Sequence, residues 1–159
     1  MAENTIRRAE ARDIPKILDL LVQVCMVHHN ARPDLFKGPA TKYTGEELKA
    51  ILANDETPVF VCVNENDLVL GYAFCVYKQE IDNNILTDIR TLYIDDICVD
   101  EACRGQHVGQ SLCDYVLDFA RCEGFYNVTL NVWAGNPGAQ AFYDRMGFKP
   151  QKFGLEIVL

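Results

Sequence analysis

The stretch Asn136–Phe148, NPGAQAFYDRMGF, decides the reading of this chain. Asn136 can cap a helix by accepting a backbone N–H bond, and Pro137 suits the first helical position. Ala139, Phe142, Tyr143 and Met146 follow at three- and four-residue steps, so they share one helical face. Gly147 closes the helix as a left-handed cap, and Phe148 starts the next apolar run. An amphipathic helix alone accounts for Ala139, Phe142 and Met146. It does not account for Tyr143, whose hydroxyl needs a polar partner if its ring is buried.

Upstream, Arg104–Gly109, RGQHVG, leads straight into a helical pattern of Val108, Leu112, Val116, Phe119 and Ala120. A glycine-bearing turn that opens a helix points free backbone N–H groups and the positive end of the helix dipole at one spot. Such a spot binds phosphate. Taken by itself, the segment reads more readily as a plain turn with a solvated Arg104.

In this order and spacing the two segments resemble the GCN5-related N-acetyltransferase (GNAT) family. Its phosphate loop reads Gln/Arg-x-x-Gly-x-Gly/Ala, and Arg104, Val108 and Gly109 fall in register. His107 stands where the middle glycine is usual, a departure that a negative φ would accommodate. The downstream segment matches the family's Asn-x-x-Ala-x-x-Phe-Tyr-x-x-x-Gly-Phe pattern at every fixed position. The resemblance implies one α/β domain over residues 1–159. Its sheet would be mixed and mostly antiparallel, flanked by about four helices, with two splayed parallel strands forming an acetyl-CoA cleft.

The activity implied is transfer of an acetyl group from acetyl-CoA, as cosubstrate and without a metal, to a primary amine by direct attack through a tetrahedral intermediate. The splayed strands would be 94–99 and 126–132. Backbone groups near Ile97, Cys98 and Val99 would bond the pantetheine amides and the acetyl oxygen. The turn Arg104, Gly105, Gln106, His107, Val108, Gly109 and Gln110 would hold the pyrophosphate, with Asn136 and Tyr143 completing the cofactor set. Tyr143 corresponds to the family's general acid, a phenol of pKa about 10 that protonates a thiolate whose acid has a pKa of about 8.5.

For the base, Asp95 and Asp96 stand on the strand that would line the cleft. Strand alternation sends them to opposite faces, so at most one faces the acceptor unless a bulge intervenes. Asp95 is slightly favoured. Asn131 lies where ribosomal-protein N-terminal acetyltransferases carry a glutamate base, a role asparagine cannot fill. In this family the first helices and their loop wall the acceptor site, which places His28, His29, Arg32, Asp34, Phe36 and Tyr43 near it, with Asp95. The adjacent histidines read more readily as a solvated helix end, favourable to the dipole, than as a catalytic pair. Three functions follow: a small-molecule amine acetyltransferase first, a protein lysine or N-terminal acetyltransferase second, and an acetyl-CoA sensor without turnover third. A homodimer through the last strands is an expectation by analogy.

Composition sets outer bounds. A chain of 159 residues, 49% hydrophobic, can bury a proper core as one domain. A net charge of −8 argues against nucleic acid as a partner. No apolar run approaches the roughly 18 residues of a membrane span, and MAENTIRRAEARD lacks the apolar core of a signal peptide. The cysteines form no CxxC pair, and Cys62, Cys75, Cys98 and Cys113 sit within apolar patterns as buried thiols, so a reducing cytoplasm is expected. Strands are expected at 5–9, 58–63, 68–78, 87–99 and 126–132, with a last strand or hairpin running to Leu159. Helices are expected after Asp13, from a Thr44/Glu47 capping box to about Ala53, over 108–122, and after Asn136.

Overall fold

The computed structural model describes residues 3–159. Five strands, β1 (Thr5–Arg8), β2 (Val59–Val63), β3 (Val69–Gln79), β4 (Arg90–Val99) and β5 (Asn127–Leu130), form one sheet in sequence order. The first three pairings are antiparallel, and β4 with β5 is parallel. The helices are α1 (Ile14–Ala31), α2 (Gly45–Ala53), α3 (Val108–Cys122) and α4 (Pro137–Arg145).

Both faces of the sheet are buried, and the period-two alternation of β2 displays it. Val59, Val61 and Val63 join Ile17, Leu20, Leu21 and Leu48 of α1 and α2. Phe60 and Cys62 join Leu112, Val116 and Ala120 of α3 on the other side. Ile14, Ile17, Leu20 and Leu21 form the buried stripe of α1. Helix α3 spans the residues expected of it. Thr44 accepts the Glu47 N–H at 3.2 Å and caps α2. The cysteines are all free, and the four expected to be buried are buried.

The structure corrects several details. Asp13 occupies the cap position of α1 but does not bond forward into the helix. Its carboxylate turns back to the Glu10 N–H and to Arg7, closing β1 onto the helix start. Strand β4 begins at Arg90 rather than Thr87, and β5 is confined to Asn127–Leu130. The last strand does not form. Gly147 takes its expected left-handed conformation, φ +95°, but residues 150–159 then run without regular structure and stay exposed. The reason is lack of a partner: the sheet ends at β5, and no described strand pairs with that edge.

The Arg7–Asp13 pair joins the two ends of this first unit, with Asp13 4% exposed. Burial alone would raise the Asp13 carboxyl, but its bonds to Arg7 and the Glu10 N–H bring it below the usual range. A depressed carboxyl contributes stability that is present above its unfolded value of about 3.9 and is lost as pH falls through its folded value. Asp13→Asn should therefore lower stability by about 1.5–3 kcal/mol at pH 7. Denaturant titration should show this difference narrowing as pH falls below the unfolded carboxyl range.

Candidate active site

The site begins where β4 and β5 part. Their parallel pairing runs from Thr91–Asn127 to Ile94–Leu130 and stops there, while β4 stays paired with β3 as far as Val99–Gly71. Residues 95–99 therefore present one backbone edge to an opening instead of a neighbouring strand. Ile97, Cys98 and Val99, the expected pantetheine contacts, lie on this edge.

At the parting point β4 carries a bulge. Phe74 of β3 pairs with Asp96 and Cys75 with Ile94, so Asp95 is the extra residue. Alternation is reset there. Ile94 and Ile97 turn toward α3, whereas Asp96 and Cys98 turn toward Tyr72 and the α1 side. Asp95 turns to that side too, bonded by Tyr43 at 2.7 Å. The expectation that the aspartates face opposite ways holds for a regular strand and fails here because of the bulge.

Their environments differ. Asp95 accepts the Tyr43 hydroxyl and both its oxygens receive the Lys42 ammonium, at 2.9 and 3.0 Å. Asp96 accepts the hydroxyl of fully buried Tyr72 at 2.6 Å. Burial pushes the Asp96 carboxyl up to about 6, with the Asp95 charge adding to the rise and the Tyr72 bond and Lys42 opposing it. A carboxyl at that value can accept a proton near neutral pH. Tyr143, half-buried on α4, packs edge-on against Phe142 and Phe148. Burial, followed by the Asp96 charge, raises its phenol above the ordinary range, so it stays protonated.

Below the parted strands lies the turn that opens α3. Asp100 anchors it, accepting from Lys16 and Gln23 of α1 and from the Ala102 N–H. His107 sits at the helix cap with φ +60°, not with the negative φ that would accommodate a side chain there freely. Entry into α3 from this turn needs a left-handed residue. Histidine adopts that conformation at a cost of about 1–2 kcal/mol that glycine escapes. A groove of ≈ 500 Å³ follows, lined by Arg104, Gly105, His107, Gly109, Gln110 and Arg145 among others. Val99 and Val108 line it as well; Gln106 is exposed and does not. A Cβ at Gly109 would meet Phe142 at 3.6 Å, an ordinary contact, so the groove floor is close-packed there. Asn136 uses its side-chain oxygen to accept the Ala139 N–H at 3.2 Å, a helix cap.

The acceptor-wall candidates gather at the end of α1. His28 stacks on Phe36 with centroids 5.0 Å apart, and Phe36 meets Trp133 edge-on at 5.2 Å. His29 contacts the Phe36 carbonyl through Nδ1 at 2.7 Å, so the histidine pair fixes the following loop instead of standing as a solvated cap. Asp34 pairs with Arg32. Tyr43 stacks on Phe74 at 5.6 Å and reaches Asp95. Asn131 donates to the Tyr93 hydroxyl. Sequence reasoning missed Lys42, Tyr72 and Arg145. Arg145 carried a signal, one turn beyond Phe142 on α4; Tyr72 and Lys42 carried none without the register of β3 against β4.

Comparisons with known proteins agree with this geometry. The sequence model described as the acetyltransferase (GNAT) family matches residues 25–148. A probable N-acetyltransferase, camello, of Xenopus laevis is 30% identical over 94 residues, which are 54% of this chain and 43% of that protein. An uncharacterized N-acetyltransferase of Methanocaldococcus jannaschii is 27% identical over 151 residues, 93% of this chain and 62% of its own. The chain thus spans less than two thirds of the length of either relative. The crystal structure of a mutant BH1408 protein from Bacillus halodurans superposes with a TM-score of 0.93 at 26% identity, covering 98% of this chain and 99% of that one.

The pairing of Asp96 with Tyr72 is directly testable. The hydroxyl donates to the charged carboxylate and so opposes the rise in its pKa. In Tyr72→Phe the Asp96 carboxyl should titrate higher than in the native protein, where the expected midpoint is about 6. Carboxyl-carbon NMR across pH 4–9 would read both midpoints, and an unchanged midpoint would remove the hydrogen bond from the account.

Proposed function

The chain belongs to the GNAT family of acetyltransferases, and from that premise we propose that it acetylates the primary amine of a small cationic molecule. One observation carries the reading. The β4 bulge turns Asp95 and Asp96 to the same face at the mouth of the parted strands.

The groove below suits the pyrophosphate of acetyl-CoA. Arg104 and Arg145 line it, and the first turn of α3 ends there with its free N–H groups. Bound there, acetyl-CoA would supply a thioester whose acetyl carbon is open to attack. The chain's own groups then divide the work. The open edge of β4 offers backbone N–H groups to oxygens that gain negative charge. Asp96 takes a proton from the incoming amine, which at a pKa of about 10 is otherwise mostly an ammonium ion. Tyr143, held protonated, gives a proton to the departing sulfur.

Acceptor class follows from Asp95. Its carboxylate already holds a primary ammonium, that of Lys42, whose nitrogen lies 5.6 Å from the centre of the Tyr43 ring. A carboxylate beside an aromatic face is a cation site. An acceptor ammonium could take the place of Lys42, which is exposed and on a loop. The Phe36 cluster, which ties the α1–α2 connection to Trp133 beyond β5, favours a compact acceptor over an extended peptide.

Calorimetry with acetyl-CoA comes first. Binding should occur in the native protein and be lost in Gly109→Glu, whose side chain enters the groove, while circular dichroism stays unchanged. A release assay for free CoA thiol against polyamines, aminoglycosides, amino acids and lysine peptides then names the acceptor. Turnover on lysine peptides alone would replace the small acceptor by a protein, and binding without any turnover would favour a sensor. For the catalytic groups, kcat/KM should fall on the acid side of about pH 6. Asp96→Asn should abolish that limb, and Tyr143→Phe should slow turnover by about 10²–10⁴.

A further inference from the structure

A primary amine of the chain's own already stands at the mouth of the parted strands. Lys42 places its ammonium 2.9 and 3.0 Å from the two oxygens of Asp95. Its neighbour fixes the backbone there. Tyr43 stacks on Phe74 and donates to Asp95 at 2.7 Å, so Lys42 is tied to the site whether or not its own side chain is bonded. The Lys42 side chain is 49% exposed, against 15% for Asp95. An ion pair wetted on one side is held weakly, so the amine can leave the carboxylate without any movement of the loop.

The groups assigned to an incoming acceptor surround this amine as well. Asp96 follows Asp95 in the chain and turns to the same face through the bulge, close enough for the Lys42 charge to act on its carboxyl. His28, stacked on Phe36 at the acceptor wall, has its imidazole lowered by burial and then by the same ammonium. A short contact with a carboxylate is not by itself the distinguishing mark. Lys49 makes one of 2.9 Å with Glu46, but on an exposed face of α2 where no second carboxyl or phenol is bonded to the pair.

We propose that Lys42 is a site of self-acetylation: on the acetyl-transfer reading of this cleft, on which the inference rests, each chain moves an acetyl group from acetyl-CoA to its own Lys42 nitrogen. One ammonium proton passes to Asp96 and on to solvent. The nitrogen then bonds the thioester carbon, the carbon–sulfur bond breaks, and Tyr143 protonates the sulfur. A second proton lost by the nitrogen replaces the one Tyr143 gave. The products are Lys42 acetylated at Nζ, the CoA thiol and one proton. An amine held beside the base by its own backbone needs no encounter, which favours it over dilute amines in solution. Once acetylated, Lys42 carries no charge, so Asp95 keeps the Tyr43 hydroxyl and is open to an incoming ammonium.

The full chain, incubated with acetyl-CoA and no other amine, should gain one acetyl group by intact mass, placed on Lys42 by peptide mass spectrometry. The rate per chain should not change with protein concentration, and the gain should vanish in Lys42→Arg. Tyr143→Phe should slow it by about 10²–10⁴, the loss expected for an added amine. Lys49 should stay unmodified over the same time. Acetylation of Lys49 as fast as Lys42 would mark unassisted reaction in solution and overturn the inference, as would a rate that rises with protein concentration. Turnover of an added amine with Lys42 left unmodified would overturn it while the proposed function stands. Failure to bind acetyl-CoA in the calorimeter would overturn both.

Discussion

Everything at this site depends on β4 leaving β5 while keeping β3. A central strand ordinarily has its polar backbone satisfied on both sides. Here residues 95–99 keep bonds on one side only, and the opening on the other side is what makes a cleft out of a sheet. The bulge at Asp95 contributes to the parting, because an extra residue sharpens the local twist of a strand. The remaining parts hold that opening in place. Lys16 and Gln23 fix the chain just beyond it through Asp100, and Phe142 of α4 closes against Gly109 at its base.

The same bulge creates an electrostatic problem whose outcome is chemically useful. Neighbouring carboxylates on one face repel, and burial adds to the cost of charging them. Asp95 is bonded by a cation and a hydroxyl, Asp96 by the Tyr72 hydroxyl, and burial together with the Asp95 charge raises Asp96 to about 6. Tyr143 is moved upward by burial and by that same carboxylate. One group is thereby left able to accept a proton near neutral pH and the other able to keep one. Environments that separate the pKa values of neighbouring groups in this way are how acid and base roles are assigned within one pocket.

Much of this was legible in the sequence, because the elements that build it are locally encoded. Asn136, Pro137 and Gly147 delimit α4 by capping chemistry, and the apolar spacing from Val108 to Ala120 delimits α3; both appear where they were read. What could not be read is set by pairing across strands. Nothing between Tyr93 and Ile97 announces a bulge, since the extra residue is defined only by how Phe74 and Cys75 meet their partners. Tyr72 becomes a partner of Asp96 through the same register. The last strand was misread for a related reason: alternation from Phe153 onward is real, but a strand needs a neighbour, and periodicity alone does not provide one.

Net charge adds a final constraint. At −8 the protein would repel an anionic cosubstrate at a distance and attract the cationic acceptor proposed for it. That long-range field is screened beyond roughly 10 Å at 0.1 M salt, so it bears on approach more than on the bound state. Close in, Arg104, Arg145 and the start of α3 reverse the sign at the groove, while Asp95 and Asp96 preserve it at the mouth of the cleft. On the proposed reading the two ends of one opening would take ligands of opposite charge, meeting where β4 is unpaired. An enzyme that held an anion and deprotonated a cation, as proposed here, would need that polarity, and the path of a single strand would supply it.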